Sequence, residues 1–272
     1  MAKFFGIYGF NFTKPIETRW FSLSPIYKNK LEIDKLAIDT NNLHLTGIGK
    51  ANVPATPDHF FHLEGSLTFI QQQLIILDLR NQTKKDYPNS IPIFHKRNHG
   101  NSLILNDTFN PDSTRKLLHT LFLKLTDESF CQNTGFREAL YRNVTIYKLP
   151  KPIIDITYYL SFSGLELVAR KNENDYSRPT AQVINRFLKN FGFLTTLREM
   201  EIFTGLRNAL FHNGKYEWAK RATKTEPAEL YKLTDYDIKC ETLLCDAILK
   251  LINFDDQTIN WNRWKDRMGF TG

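Results

Sequence analysis

The feature that most limits what this chain can fold into is a change of hydrophobic period near residue 110. Before it, apolar residues alternate or gather in short aromatic and branched runs; after it, they recur three and four apart. Alternation lines up one face of a strand, and the longer spacing lines up one face of a helix. "KFFGIYGFNF", "LHLTGIGKA", "FFHLEGSLTFI" and "QLIILDLRN" therefore read as strands, set apart by the turn signals "PIETRW", "NVPATPD" and "TKKDYPNS". About six to eight short strands are expected, in one antiparallel sheet or a small barrel. Alternation also puts Phe4, Tyr8, Phe10 and Phe12 on one face, apolar enough to be buried.

In "FNPDSTRKLLHTLFLKLTDESF" an Asp-Ser-Thr start precedes Leu117, Leu118, Leu121, Phe122 and Leu125 at helical spacing, so the domain boundary is expected between Asn110 and Asp112. Further helices are predicted in "PIIDITYYLSFSGLELVARK", "RPTAQVINRFLKNFG", "LTTLREMEIFTGLRNALFH" and "DYDIKCETLLCDAILKLINF", packed as a four-helix up-and-down bundle. "QTINWNRWKDRM" adds a short terminal helix packed back through its tryptophans. The expected class is α+β: a β-rich N-terminal recognition or sensor domain over 1–110, then a helical bundle over 111–272.

Bulk properties narrow the function. A chain of 272 residues, 42% hydrophobic and 24% charged, has the mixture of a globular protein with room for two modest domains. Its apolar runs fall short of the roughly 20 residues that cross a bilayer, and its first residues lack a small-x-small cleavage site. No membrane association and a cytoplasmic location are the expectations. Cys131, Cys240 and Cys245 form no CxxC pair, so neither a disulfide framework nor a zinc site is expected. A formal charge of +7 favours an acidic partner, RNA foremost, although scattered basic residues also suit an ordinary solvated surface. "TGIGK" lacks the spacing of a phosphate-binding loop, and no other cofactor signature is present.

The chemistry concentrates in "LRNALFHNGK". Asn208 and His212 stand four apart on one helical face, whereas Arg207 and His212 are separated by roughly 140° around the axis. The Asn213-Gly214 pair marks a helix stop, and the negative end of the helix dipole favours a protonated imidazole there. A histidine moves protons near neutral pH, an arginine clamps phosphate oxygens, and an amide orients either one. The same residues also fit a C-capping histidine beside an ordinary salt-bridged arginine.

Arg207-Asn208-x-x-x-His212 near the end of a helix resembles the R-N-x-x-x-H form of the motif carried by the HEPN superfamily of ribonucleases. The resemblance spans roughly residues 150 to 255. It includes "YYLSFSGLELVAR", similar to the early helix of that family, and "HNGK", similar to the His-Gly ending of its ApeA-like abortive-infection branch. It implies a HEPN-type bundle and a metal-independent endoribonuclease without cofactor, leaving 2′,3′-cyclic phosphate and 5′-hydroxyl ends. Arg207, Asn208 and His212 would then be catalytic, at a composite site built by a homodimer. The implied role is a toxin or antiphage effector, with an antitoxin or trigger protein as a further partner. Phe211 and Asn213 replace the small residues often found beside the histidine, which also suits a non-catalytic module binding RNA or a partner protein.

Glu166 is a supporting candidate, either anchoring Arg207 or His212 or forming an ordinary helix salt bridge. Lys215 and Tyr216 extend the strip as candidate RNA contacts, or simply face solvent. "FHKRNHG" reads as a basic loop in which Lys96 and Arg97 are candidate contacts to the RNA backbone; its His95 and His99 lack an acidic third ligand. "HFFH", at His59 to His62, reads as a strand edge.

Overall fold

The computed structural model describes residues 3–36, 38–39, 41–80, 86–95, 105, 110, 112–222 and 227–265. It is a mixed α+β protein that divides into two compact units. The first comprises Met1–Thr126, Tyr147–Lys151 and Asp256–Ile259; the second comprises Asp127–Ile146, Pro152–Asp255 and Asn260–Gly272. The change of period at 110–112 thus marks the start of a helix, while the division between units falls after Thr126.

In the first unit, β1 (Phe4–Tyr8), β2 (Ile16–Glu17), β3 (Phe21–Pro25), β4 (Leu43–Ala51), β5 (Ile76–Asp78) and β6 (Ser90–Ile91) form an antiparallel sheet. Its order is β2-β3-β4-β1-β5, with β6 also paired to β4. Helices α1 (Lys30–Leu36), α2 (Pro57–Gln71) and α3 (Ser113–Thr126) also belong to this unit. The strip expected on one face of β1 does not hold: Phe4 is exposed, whereas Phe5, Ile7, Tyr8 and Phe10 are fully buried. A bulge between Ile7 and Tyr8 breaks the two-residue period, and β1 carries buried side chains on both faces.

"FFHLEGSLTFI", expected as a strand, lies in α2. Thr56 caps it by accepting the His59 N–H, His59 Nδ1 accepts the Thr56 N–H at 3.1 Å, and Pro57 occupies the first turn. Phe60, Leu63, Leu67 and Ile70 then bury one helical stripe, so "HFFH" begins a helix rather than edging a sheet. His95 is buried, with Nε2 3.0 Å from the Tyr147 carbonyl oxygen, so it belongs to the packed interior and not to a solvated basic loop. Lys96, Arg97 and His99 lie outside the described residues.

The second unit opens with α4 (Glu128–Thr134) and α5 (Phe136–Lys148), whose last two residues are assigned to the first unit. Asp127 starts α4 by accepting the Phe130 N–H at 2.9 Å, just after α3 ends at Thr126. The four predicted helices follow as α6 (Ile154–Glu173), α7 (Thr180–Asn190), α8 (Leu197–Asn213) and α9 (Asp237–Leu251). Helix α6 packs on each of the other three. An unexpected hairpin, β7 (Glu217–Lys220) with β8 (Glu229–Lys232), separates α8 from α9. The terminal segment contributes a short 3-10 turn at Arg263–Lys265, with Trp264 buried. Among the described residues no helix is long and apolar enough to cross a membrane, and Cys131, Cys240 and Cys245 are buried and not joined in a disulfide.

Two features of this unit set measurable stability terms. Trp218 of β7 lies against α8 at Gly205, where an added Cβ would come within 2.3 Å of the indole. In an open helix Gly→Ala gains about 1 kcal/mol; here Gly205→Ala is expected instead to cost about 1–3 kcal/mol through overpacking, read from urea unfolding midpoints.

Burial pushes the Asp237 carboxyl up to about 6, opposed by the Ile238 N–H and reinforced by the Glu241 charge. The folded chain therefore holds this proton more tightly than the unfolded chain, where the group titrates near 3.8. Stability falls as pH rises from about 4 to about 6 and stays lowered above that. Asp237→Asn is expected to raise the unfolding midpoint at pH 7.5, with the gain disappearing by pH 4.

Candidate functional site

The strip at 206–215 takes its place from the two ends of α8. At the start, Thr196 accepts the Glu199 N–H while the Glu199 carboxylate accepts the Thr196 N–H at 2.7 Å, closing a capping box. At the end, Gly214 adopts φ +61°, its N–H donates to the Leu210 carbonyl, and the Lys215 N–H donates to the Ala209 carbonyl. This paired closure satisfies the last carbonyls, and the left-handed glycine turns the chain out immediately after Asn213.

Arg207 is half-buried against α6. Its guanidinium lies over the Phe162 ring at 5.8 Å, with Nη2 3.7 Å from Glu166 Oε2 and Nη1 donating to Asn208 Oδ1 at 2.8 Å. Glu166 is itself a junction: its Oε1 accepts Arg170 Nε and Thr180 Oγ1, each at 2.9 Å. Thr180 opens α7, so one carboxylate joins α6, the start of α7 and Arg207 of α8. Of the two anchoring roles considered for Glu166, the contact is with Arg207. Deeper in the same packing, Tyr158 is fully buried, donates its hydroxyl to the Phe203 carbonyl at 2.7 Å, and is pushed well above the usual phenol range by burial.

His212 is exposed in the last turn, one turn beyond the exposed Asn208, and no hydrogen bond, ion pair or ring contact engages it among the described residues. Among the described residues no hydrogen bond or ion pair joins Arg207 to His212. Lys215 and Tyr216 are exposed directly after the helix stop, where the Tyr216 carbonyl accepts the Leu233 N–H at 2.8 Å. The arrangement presents a held cation, an amide bonded to it, and a separate solvent-facing imidazole along one helix end. A phosphate needs such a cation, and proton transfer needs such an imidazole.

Beside the strip is a groove that the sequence did not suggest. It has a volume of about 470 Å³, between the first turns of α6 and the last turn of α8. Tyr159 and Phe211 meet across it with ring centroids 4.5 Å apart, and Asp155, Ile156 and Tyr216 also line it. Large apolar side chains left exposed on two neighbouring helices were the available signal; helical periodicity shows only that they lie off the buried stripe. Among the described residues, no group of three or more His, Cys, Asp or Glu side chains is placed to hold a metal ion. No known protein family, curated protein or solved structure matches the chain.

The unequal roles of the two ion-pair partners are measurable. Glu166→Ala removes the acceptor of Arg170 and Thr180 and is expected to cost about 1–3 kcal/mol. Arg207→Ala breaks a longer, partly exposed pair and is expected to cost at most about 1 kcal/mol. Denaturant unfolding of both variants checks the order.

Proposed function

We propose that this protein is a HEPN-type endoribonuclease that cleaves RNA without a metal and acts as a toxin or antiphage effector. The observation that carries the reading is the exposed Asn208 and His212 in the final turns of α8 beside a half-buried Arg207 held by Glu166 and Phe162. The motif resemblance supplies the reaction class, and the chemistry of these side chains fits it.

In this reaction the ribose 2′-oxygen attacks the adjacent phosphorus, the bond to the 5′-oxygen breaks, and the proton lost by the 2′-hydroxyl is balanced by one gained at the leaving oxygen. His212 serves as a proton-transfer group, Arg207 balances the charge gathering on the phosphoryl oxygens, and Asn208 orients the guanidinium. The products are a 2′,3′-cyclic phosphate and a 5′-hydroxyl. A pair of strips facing one cleft in a homodimer supplies both an acid and a base together with the clamp. Lys215 and Tyr216 extend the same surface toward the RNA backbone.

The test is incubation of the whole protein with labelled mixed-sequence RNA in EDTA, followed by analysis of the fragment ends. Wild type is expected to leave cyclic-phosphate ends, with the rate falling about 10²–10⁴-fold in His212→Ala and about 10²–10³-fold in Arg207→Ala. RNA bound but never cut would identify a non-catalytic module, and equal cutting by all three proteins would place the activity elsewhere.

A further inference from the structure

We infer that the groove between α6 and α8 is a base-recognition subsite that selects guanine, so that cleavage falls on the 3′ side of guanosine; this rests on the endoribonuclease reading of the strip. The contacts along the two helices run in order. Arg207 meets Phe162 and Glu166, Phe211 meets Tyr159, and Gly214 lines the same groove as Asp155 and Ile156. From Arg207 to Gly214 is seven residues of helix, about 10 Å along the axis. A nucleotide whose phosphate lies at Arg207 can thus lay its base in the groove, which His212 adjoins beside Phe211.

The groove has the features a single-stranded base needs. Phe211, Tyr159 and Tyr216 are 46%, 43% and 48% exposed, although apolar packing would favour covering all three. Unpaired bases stack on such aromatic surfaces and are read at their Watson–Crick edge. Gly214 has no side chain, and nothing would stand within 4 Å of a Cβ added there, which leaves that end of the groove open.

Asp155 sets the choice of base. Its Oδ1 accepts the Ile156 N–H at 3.1 Å, and the carboxylate retains further acceptor sites but no donor. Guanine alone presents two adjacent donors, N1–H and the 2-amino group, which match a carboxylate. Uracil and adenine set acceptors beside their donor, and cytosine offers its amino group next to an acceptor nitrogen. The three groups of the subsite divide the work: Phe211 and Tyr159, packed on one another, offer their remaining exposed faces to any base, and Asp155 discriminates.

The experiment measures equilibrium binding of guanosine 3′-monophosphate and its adenosine, cytidine and uridine counterparts to the whole protein, and sequences the 3′ ends of RNA fragments from the cleavage assay. Guanosine 3′-monophosphate is expected to bind about tenfold or more tightly than the others. Asp155→Asn is expected to bring the four within about threefold of one another, and Phe211→Ala to weaken all four. Equal binding of the four by wild type, or a guanine preference that survives Asp155→Asn, overturns the subsite. So does a Phe211→Ala variant that binds all four nucleotides normally but changes oligomeric state, which would assign the groove to a second copy of the chain. The two readings fail separately: guanine-selective binding without cleavage removes the nuclease and keeps the base site, whereas cleavage without a guanosine end does the reverse.

Discussion

The Glu166 carboxylate is the contact on which the candidate site depends. It accepts from Arg170 one turn along its own helix, from Thr180 at the start of α7, and pairs with Arg207 of α8. Enclosing a charge is costly unless it is hydrogen-bonded and paired; here Arg170 and Thr180 donate to it and Arg207 adds an ion pair at 3.7 Å. The relative placement of α6, α7 and α8 thus fixes where Arg207 stands. The Phe162 ring beneath the guanidinium limits its freedom further.

A second constraint acts at the end of α8. The left-handed turn at Gly214 ends the helix one residue after His212 and its neighbour Asn213, which leaves the imidazole in solvent and sends the chain toward β7. There Trp218 returns to cover Gly205 of the same helix. One face of α8 is closed by the hairpin, another by α6 and α7, and Asn208 and His212 are left on what remains. The exposure of the candidate catalytic residues is therefore a consequence of packing elsewhere on α8.

Much of this was legible in the residues. The helical spacing of α6 to α9, the Asn-Gly stop and the 206–215 strip are local signals, and local hydrogen bonding enforces them. The misreadings were local too. "FFHLEGSLTFI" contains both alternation and a Phe60, Leu63, Leu67, Ile70 stripe, and the capping contacts of Thr56, Pro57 and His59 favoured the helix. In β1, burial on both faces together with a bulge erased the alternation that a one-sided strand keeps. The β7 and β8 hairpin carried only the short pairing of Trp218 with Tyr231 as a cue.

The sequence by itself determined the α+β character, the four later helices and the clustering of Arg207, Asn208 and His212 near a helix stop, because these follow from spacing and capping within about one turn. Only the tertiary structure decided that Glu166 holds Arg207 and not His212, that α3 belongs with the first unit, and that Tyr159 and Phe211 meet over a groove containing Asp155. Those outcomes join residues from separate elements. Helical periodicity states which face a side chain occupies but not which neighbour that face will meet, and that choice is made by the packing of the whole unit.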